Sequence, residues 1–157
     1  MAIWQFPIFL LPTEWAVINN FNASLLFDDE YVDTRVAWYN NPLNSKFKEI
    51  LSDLLPQAKS WHNELLCWGN PEENDIQVWF EDNSISSIQI RLDLRQNVTA
   101  IIEAIINAAK ILDCALFFPE QNIIIEANVK DISNALQKSK AARFLIDPKD
   151  FLNNLEK

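Results

Sequence analysis

Between Ser87 and Arg95 the residues alternate without a break, with Ile88, Ile90, Leu92 and Leu94 on one side and Gln89, Arg91, Asp93 and Arg95 on the other. A period of two belongs to extended chain, so this stretch reads as a strand with one apolar face that another layer must cover. Two runs precede it. Glu64 to Trp68 is the first, and Ile76, Val78 and Phe80 mark the second. The turn Gly69-Asn70-Pro71 through Asn74 separates them, and a tight turn over Glu81 to Ser84 leads into the third strand. A three-strand antiparallel meander, half covered by core, is the expected result.

The cover is supplied by helices. Val98, Ile101, Ile102, Ile105, Ala109 and Leu112 form an apolar stripe on a helix from about Val98 to Leu112, capped by Asn97. Phe47, Ile50, Leu51, Leu54 and Leu55 mark a second helix, opened by Asn44 or Ser45 and stopped at Pro56. A third follows Asn128 over Val129 to Ser139, with Val129, Ile132, Ala135 and Leu136 inward. Asp147-Pro148 opens a last short helix in which Phe151, Leu152 and Leu155 pack back. Ala115 to Phe118 and Ile123 to Ile125 read as a hairpin. At the start, Trp4, Phe6, Ile8 and Leu10 predict a strand within Trp4 to Val17 with one face buried, and Ala23 to Phe27 a second short strand. Asp28 to Asn41 stays open between strand and irregular chain. The fold class is α+β: a mainly antiparallel sheet with a central three-strand meander and three to four helices packed on it. Neither repeats nor a linker divide the chain, so residues 1–157 are read as one domain.

Composition then removes function classes. One glycine (Gly69) and one histidine (His62) cannot build a glycine-rich phosphate loop or a histidine metal centre. Neither a catalytic set, a metal nor a cofactor is therefore expected. The net charge of -9 argues against nucleic acid or an anionic membrane as partner. Ile3 to Leu11 has no basic residue before it and is interrupted by Pro7, so it is not read as a signal peptide, and a cytoplasmic setting is expected. Cys67 and Cys114 each lie in apolar, strand-like runs and are read as buried free thiols. His62 has neither a serine nor an acid at catalytic spacing and is read as structural or exposed.

The charge is unevenly placed. Residues 1–90 hold 13 acidic and 4 basic residues, whereas residues 91–157 hold 9 of each. Three clusters make up much of the excess: Asp28, Asp29, Glu30 and Asp33, then Glu72, Glu73 and Asp75, then Glu81 and Asp82. They read as a solvated surface, as a docking surface for a basic protein, or more weakly as a carboxylate site. Six tryptophans are dense for this length, and core packing accounts for most of them. Trp79 shares a strand face with Gln77 and Glu81, where an aromatic is expected either to anchor a partner or to be covered by the N-terminal segment. Arg91 and Arg95 flank Asp93 and are expected to pair with it.

Leu66-Cys67-Trp68-Gly69 through Asn74-Asp75-Ile76, the strand Ser87 to Arg95, Leu112-Asp113-Cys114 and Phe144-Leu145-Ile146-Asp147-Pro148 resemble small single-domain bacterial proteins. More broadly, the chain resembles the immunity proteins of bacterial polymorphic-toxin and contact-dependent inhibition systems. Residues 64–157 carry the likeness, and no binding residue transfers from it by position. The resemblance implies a small, acidic, non-enzymatic cytoplasmic protein that neutralises one cognate toxin. Together with the charge, it gives as the expected partner a toxin domain with a basic surface, a nuclease as the best match, whose active site the chain occludes. A protein-binding scaffold unrelated to toxins and a carboxylate-dependent hydrolase are the alternatives. Under the first reading the partner-binding residues are Asp28, Asp29, Glu30, Asp33, Glu72, Glu73, Asp75, Trp79, Glu81 and Asp82.

Overall fold

The computed structural model describes residues 1–147 and 149. Along the chain lie β1 (Gln5–Pro12), α1 (Thr13–Ile18), a 3-10 turn (Ala23–Leu26), β2 (Phe27–Asp28), β3 (Tyr31–Val32), α2 (Arg35–Trp38) and α3 (Phe47–Leu54). They are followed by β4 (Gln57–Ala58), β5 (Leu65–Gly69), β6 (Asp75–Glu81), β7 (Ser84–Asp93) and α4 (Thr99–Ile111). The last are β8 (Cys114–Phe118), β9 (Ile123–Ile125), α5 (Val129–Gln137) and α6 (Lys140–Ile146). Seven strands form one sheet in the order β4-β5-β6-β7-β1-β8-β9, and every neighbouring pair is antiparallel. The meander β5-β6-β7 is therefore real, and β7 is the middle strand.

One face of the sheet carries the main core. Ile88, Ile90 and Leu92 of β7 pack in one cluster with Ile102, Ile105 and Ala109 of α4, Leu51 of α3 and Ile132 of α5. The alternation in β7 thus places Ile88, Ile90 and Leu92 as expected, and Leu94, just past its end, packs at the margin of the same core. Of the caps expected for α3, α4 and α5 only Asn128 holds that position; α3 and α4 start after Lys46 and Val98 without a side-chain cap, one or two residues beyond Asn44, Ser45 and Asn97. Asn128 Oδ1 accepts from the Asp131 amide at 2.8 Å while Asp131 Oδ2 accepts from Asn128 Nδ2 at 2.7 Å, a reciprocal cap. Asn97 Oδ1 accepts from the Thr99 amide at 3.0 Å.

The opposite face holds a second core, which the sequence reading did not anticipate. Leu11, Ala115, Phe117 and Ile124 project there and are covered by Trp15 and Ala16 of α1, Leu26 of the 3-10 turn, and Phe27. β1 is consequently buried on both faces rather than one: Phe6, Ile8 and Leu10 enter the main core, Leu11 and Phe9 the second. Its strand stops at Pro12, and the residues up to Ile18 form a helix instead. Pro7 falls where β1 pairs only with β7, a stretch that β8 does not reach, so a missing amide is tolerated as on an edge strand. The stretch read as a strand from Ala23 to Phe27 is mostly a 3-10 turn, closed by Asn22 Oδ1 accepting from the Ser24 amide. α2 joins the two cores, with Ala37 in the second and Trp38 in the main one.

Other expectations need adjustment. Val129 is 52% exposed, not inward, because α5 turns only Ile132, Ala135 and Leu136 to the sheet. The short strand β4 lies outside the expected elements, and so do α1, α2 and α6, which with α3, α4 and α5 make six helices among the described residues. The helix expected from Asp147-Pro148 through Leu155 lies outside the described residues. No helix among those described is long and apolar enough to cross a membrane.

Candidate functional site

A single irregularity in the meander positions the site. β6 and β7 pair from Glu81↔Ser84 and Phe80↔Ile85, then resume at Trp79↔Ser87, leaving Ser86 as a bulged extra residue. The turn between them has Asp82 and Asn83 both at positive φ (51° and 64°), the geometry of a two-residue hairpin. Released from the ladder, the Ser86 carbonyl accepts a 2.6 Å hydrogen bond from the Thr34 hydroxyl, itself on a residue only 3% exposed. That bond pins the segment after β3 over the sheet. Arg35 follows at once.

Arg35 donates to Asp33 through Nε (3.0 Å) and Nη2 (2.7 Å), and through Nη1 to Glu81 at 3.3 Å. The fork on Asp33 holds that carboxyl below the usual carboxylate range, with the Arg35 hydrogen bond as the main cause. The same contacts raise Arg35 further above its ordinary value. Asp33 and Glu81, members of two of the three acidic clusters, therefore meet around one guanidinium.

Beside this ion pair lies a groove of about 470 Å³. Its floor includes Phe9 of β1, Ser87 and Gln89 of β7, and Trp79 of β6; Asp28, Tyr31, Asp33 and Glu81 stand at its sides. Trp79 is half-buried, and its aromatic neighbours come from the segment before β5. Trp61 meets it edge-on at 5.4 Å between ring centroids and 73° between planes, and His62 lies at 5.4 Å. Trp61 is 67% exposed, an exception to the core packing that accounts for most of the tryptophans, and Tyr31 is 79% exposed. Sequence reasoning missed Tyr31, Arg35 and Trp61. The signal for Arg35 was its position as the lone base among residues 28–45. The signal for Trp61 was its polar surroundings, Lys59, Ser60, His62 and Asn63, in contrast to the apolar run that holds Trp68.

The expected acidic residues separate into three situations. Asp28, Asp29, Glu30 and Asp33 surround the β2–β3 hairpin, whose turn carries Asp29 at a φ of 55°. Glu81 and Asp82 join them across the groove or at its end. Glu72 and Glu73 are exposed at the other end of β6, a seven-residue strand spanning about 20 Å. Their turn is held by its carbonyls: Trp4 Nε1 donates to Glu72 O at 3.0 Å, and Gln5 Nε2 donates to Pro71 O and Glu73 O. Asp75 departs from its cluster. It is the first residue of β6, 2% exposed, and bound by Arg91, so the expectation that it faces a partner on the turn is corrected. Arg91 correspondingly does not pair with Asp93; only Arg95 does, at 2.9 Å.

The remaining chemistry is quiet. Cys67 and Cys114 are buried and free, and burial pushes both thiols up, Cys114 to about 12, which disfavours thiolate at neutral pH. His62 Nδ1 accepts from the Glu64 amide at 3.0 Å, a bond that shapes its own loop. Among the described residues no group of three or more His, Cys, Asp or Glu side chains is placed to hold a metal ion. Comparison with known proteins gives no match to a family model, a curated protein or a solved structure.

Proposed function

We propose that this chain is a cytoplasmic immunity-type protein that binds a cognate toxin domain and blocks its active site by occlusion. The observation that carries the reading is the convergence of Asp28, Asp33, Glu81 and Trp79 on one groove. Exposed Tyr31 and Trp61 border an acidic surface, a composition suited to a protein interface with aromatic anchors. A nuclease is the partner that this surface fits best. Its substrate is a polyanion, so its cleft is basic, and an acidic face steers encounter with it and adds specificity.

Co-expression with the toxin-like reading frame adjacent to this chain's own tests the proposal. Rescue of growth together with a complex that survives size-exclusion chromatography is the expected result. Undiminished toxicity with no complex overturns it.

A further inference from the structure

The two faces of the sheet are covered unequally. On the main-core face, under α3, α4 and α5, Ile76, Val78, Ile88, Ile90 and Leu92 in the middle of the sheet are buried. On the other, α1, the 3-10 turn and β2 cover β1, β8 and β9, but the strip bearing Gln77, Trp79, Ser87 and Gln89 is only half-buried. This strip runs along the groove between the β2–β3 hairpin and Trp61. We propose that it is the seat of a basic segment of the bound protein, whose arginine or lysine side chain enters beside Trp79 and competes with Arg35 for Glu81. The inference rests on the function proposed above and names the chemistry of its contact.

Charge selects the occupant. Asp28, Asp33 and Glu81 border the groove against one cation, Arg35, so a second cation is favoured there and an anionic segment is repelled. Arg35 shows the chemistry within the chain itself. Its guanidinium is forked on Asp33 at 2.7 and 3.0 Å but reaches Glu81 only at 3.3 and 3.4 Å. Glu81 is 53% exposed and is the looser of the two partners. An incoming guanidinium can take Glu81 while Arg35 keeps Asp33. Trp79 and Trp61, set nearly perpendicular, supply indole faces against which a cation is attracted by the ring quadrupole.

The probe is a hexa-arginine amide, with hexa-glutamate as control, titrated into the whole isotope-labelled protein at low salt. The six indole N–H signals are followed by NMR. Saturable shifts centred on Trp79 and Trp61 are expected, absent with hexa-glutamate. Glu81→Gln should weaken the apparent affinity at least threefold, and Arg35→Ala should strengthen it by a similar factor. Lys110→Ala removes the same charge from α4, far from the groove, and should change it less than twofold; its amide spectrum and those of the two groove variants report whether each is folded. Shifts centred on Trp4, beside Glu72, would overturn the proposal in favour of the opposite acidic turn. So would the absence of saturation at millimolar peptide, or equal effects of Arg35→Ala and Lys110→Ala. A toxin complex that forms while this test fails moves the contact elsewhere, whereas peptide binding without rescue leaves the seat intact and removes the immunity reading.

Discussion

Arg91 reaches across from β7 to Asp75 on β6, the residue opposite it in the ladder, and donates through both Nε and Nη2 to its two carboxylate oxygens. The Nε bond is 2.6 Å, and the side chains are only 12% and 3% exposed. A charge so enclosed is tolerated because its partner is fixed by strand register. An acidic residue that the sequence groups with Glu72 and Glu73 is thereby part of the structure rather than of its surface.

Removing one member of that pair should strand the other. Asp75→Ala is expected to cost about 3–5 kcal/mol in urea unfolding, and Arg91→Ala a comparable amount, because each leaves an uncompensated buried charge. Replacing both with Leu and Met should recover most of the loss. Reversing Glu72 and Glu73 to Lys should stay within about 1 kcal/mol of wild type, since their carbonyls rather than their carboxylates hold the turn.

The faces of β7 can be tested against each other. Ile90 is 1% exposed in the main core, so Ile90→Ala should lose about 2–5 kcal/mol. Gln89 borders the groove, and Gln89→Ala should lose about 0.5 kcal/mol or less. Equal losses in paired urea melts would reverse the assignment.

Acid should weaken the fold through Asp93. Burial alone would push its carboxyl up, but donation from Arg95 to both its oxygens and from the Arg95 amide brings it below its ordinary value. A carboxylate with a lowered folded pKa stabilises the native state above its unfolded value of about 3.9, and that stability is lost as pH falls through the folded pKa. Thermal melts between pH 6 and 2 should therefore show Tm falling below about pH 4. Asp93→Asn should flatten the part of that fall that Asp93 contributes, at the cost of a lower Tm at neutral pH.

Gly69 ends β5 at a φ of +77°, and a Cβ there would lie 2.3 Å from the Asn74 carbonyl oxygen and 2.9 Å from Leu55 Cδ1. The first obstacle is backbone and cannot rotate away. Gly69→Ala should lose more than about 1 kcal/mol by urea melt, from left-handed strain and the clash together. A loss of less than half that would mean that the turn relaxes freely.

What was legible follows from how local each signal is. β7, α3, α4 and α5 carry long periodic patterns, and the turn at Asp82-Asn83 is short and polar, so all could be read from neighbouring residues. Residues 13–46 fold into elements of six residues or fewer, too short for periodicity to separate helix from strand. The groove is less local still. Asp33 and Glu81 meet only because Thr34 docks on a carbonyl that the Ser86 bulge frees. Had the register set at the turn continued unbroken through Ser86, Asp75 would stand opposite Ile90 instead of Arg91, so the fate of Asp75 also hung on a bulge that leaves no periodic trace. Composition marked the acidic residues; topology decided which of them share a surface.

β1 alternates between two apolar cores, and this removes the safeguard that most strands possess. A slip of one residue ordinarily turns polar side chains inward and is rejected for that reason. Between Phe6 and Leu11 such a slip would exchange one set of apolar residues for another. Alignment must instead come from the strand's extremities, where the Gln5 side chain is bound to the carbonyls of Pro71 and Glu73 and where the Thr13 amide is bound to Asp113 O at 2.9 Å. A misaligned β1 would be detected at those two anchors, while the residues between them would report nothing wrong.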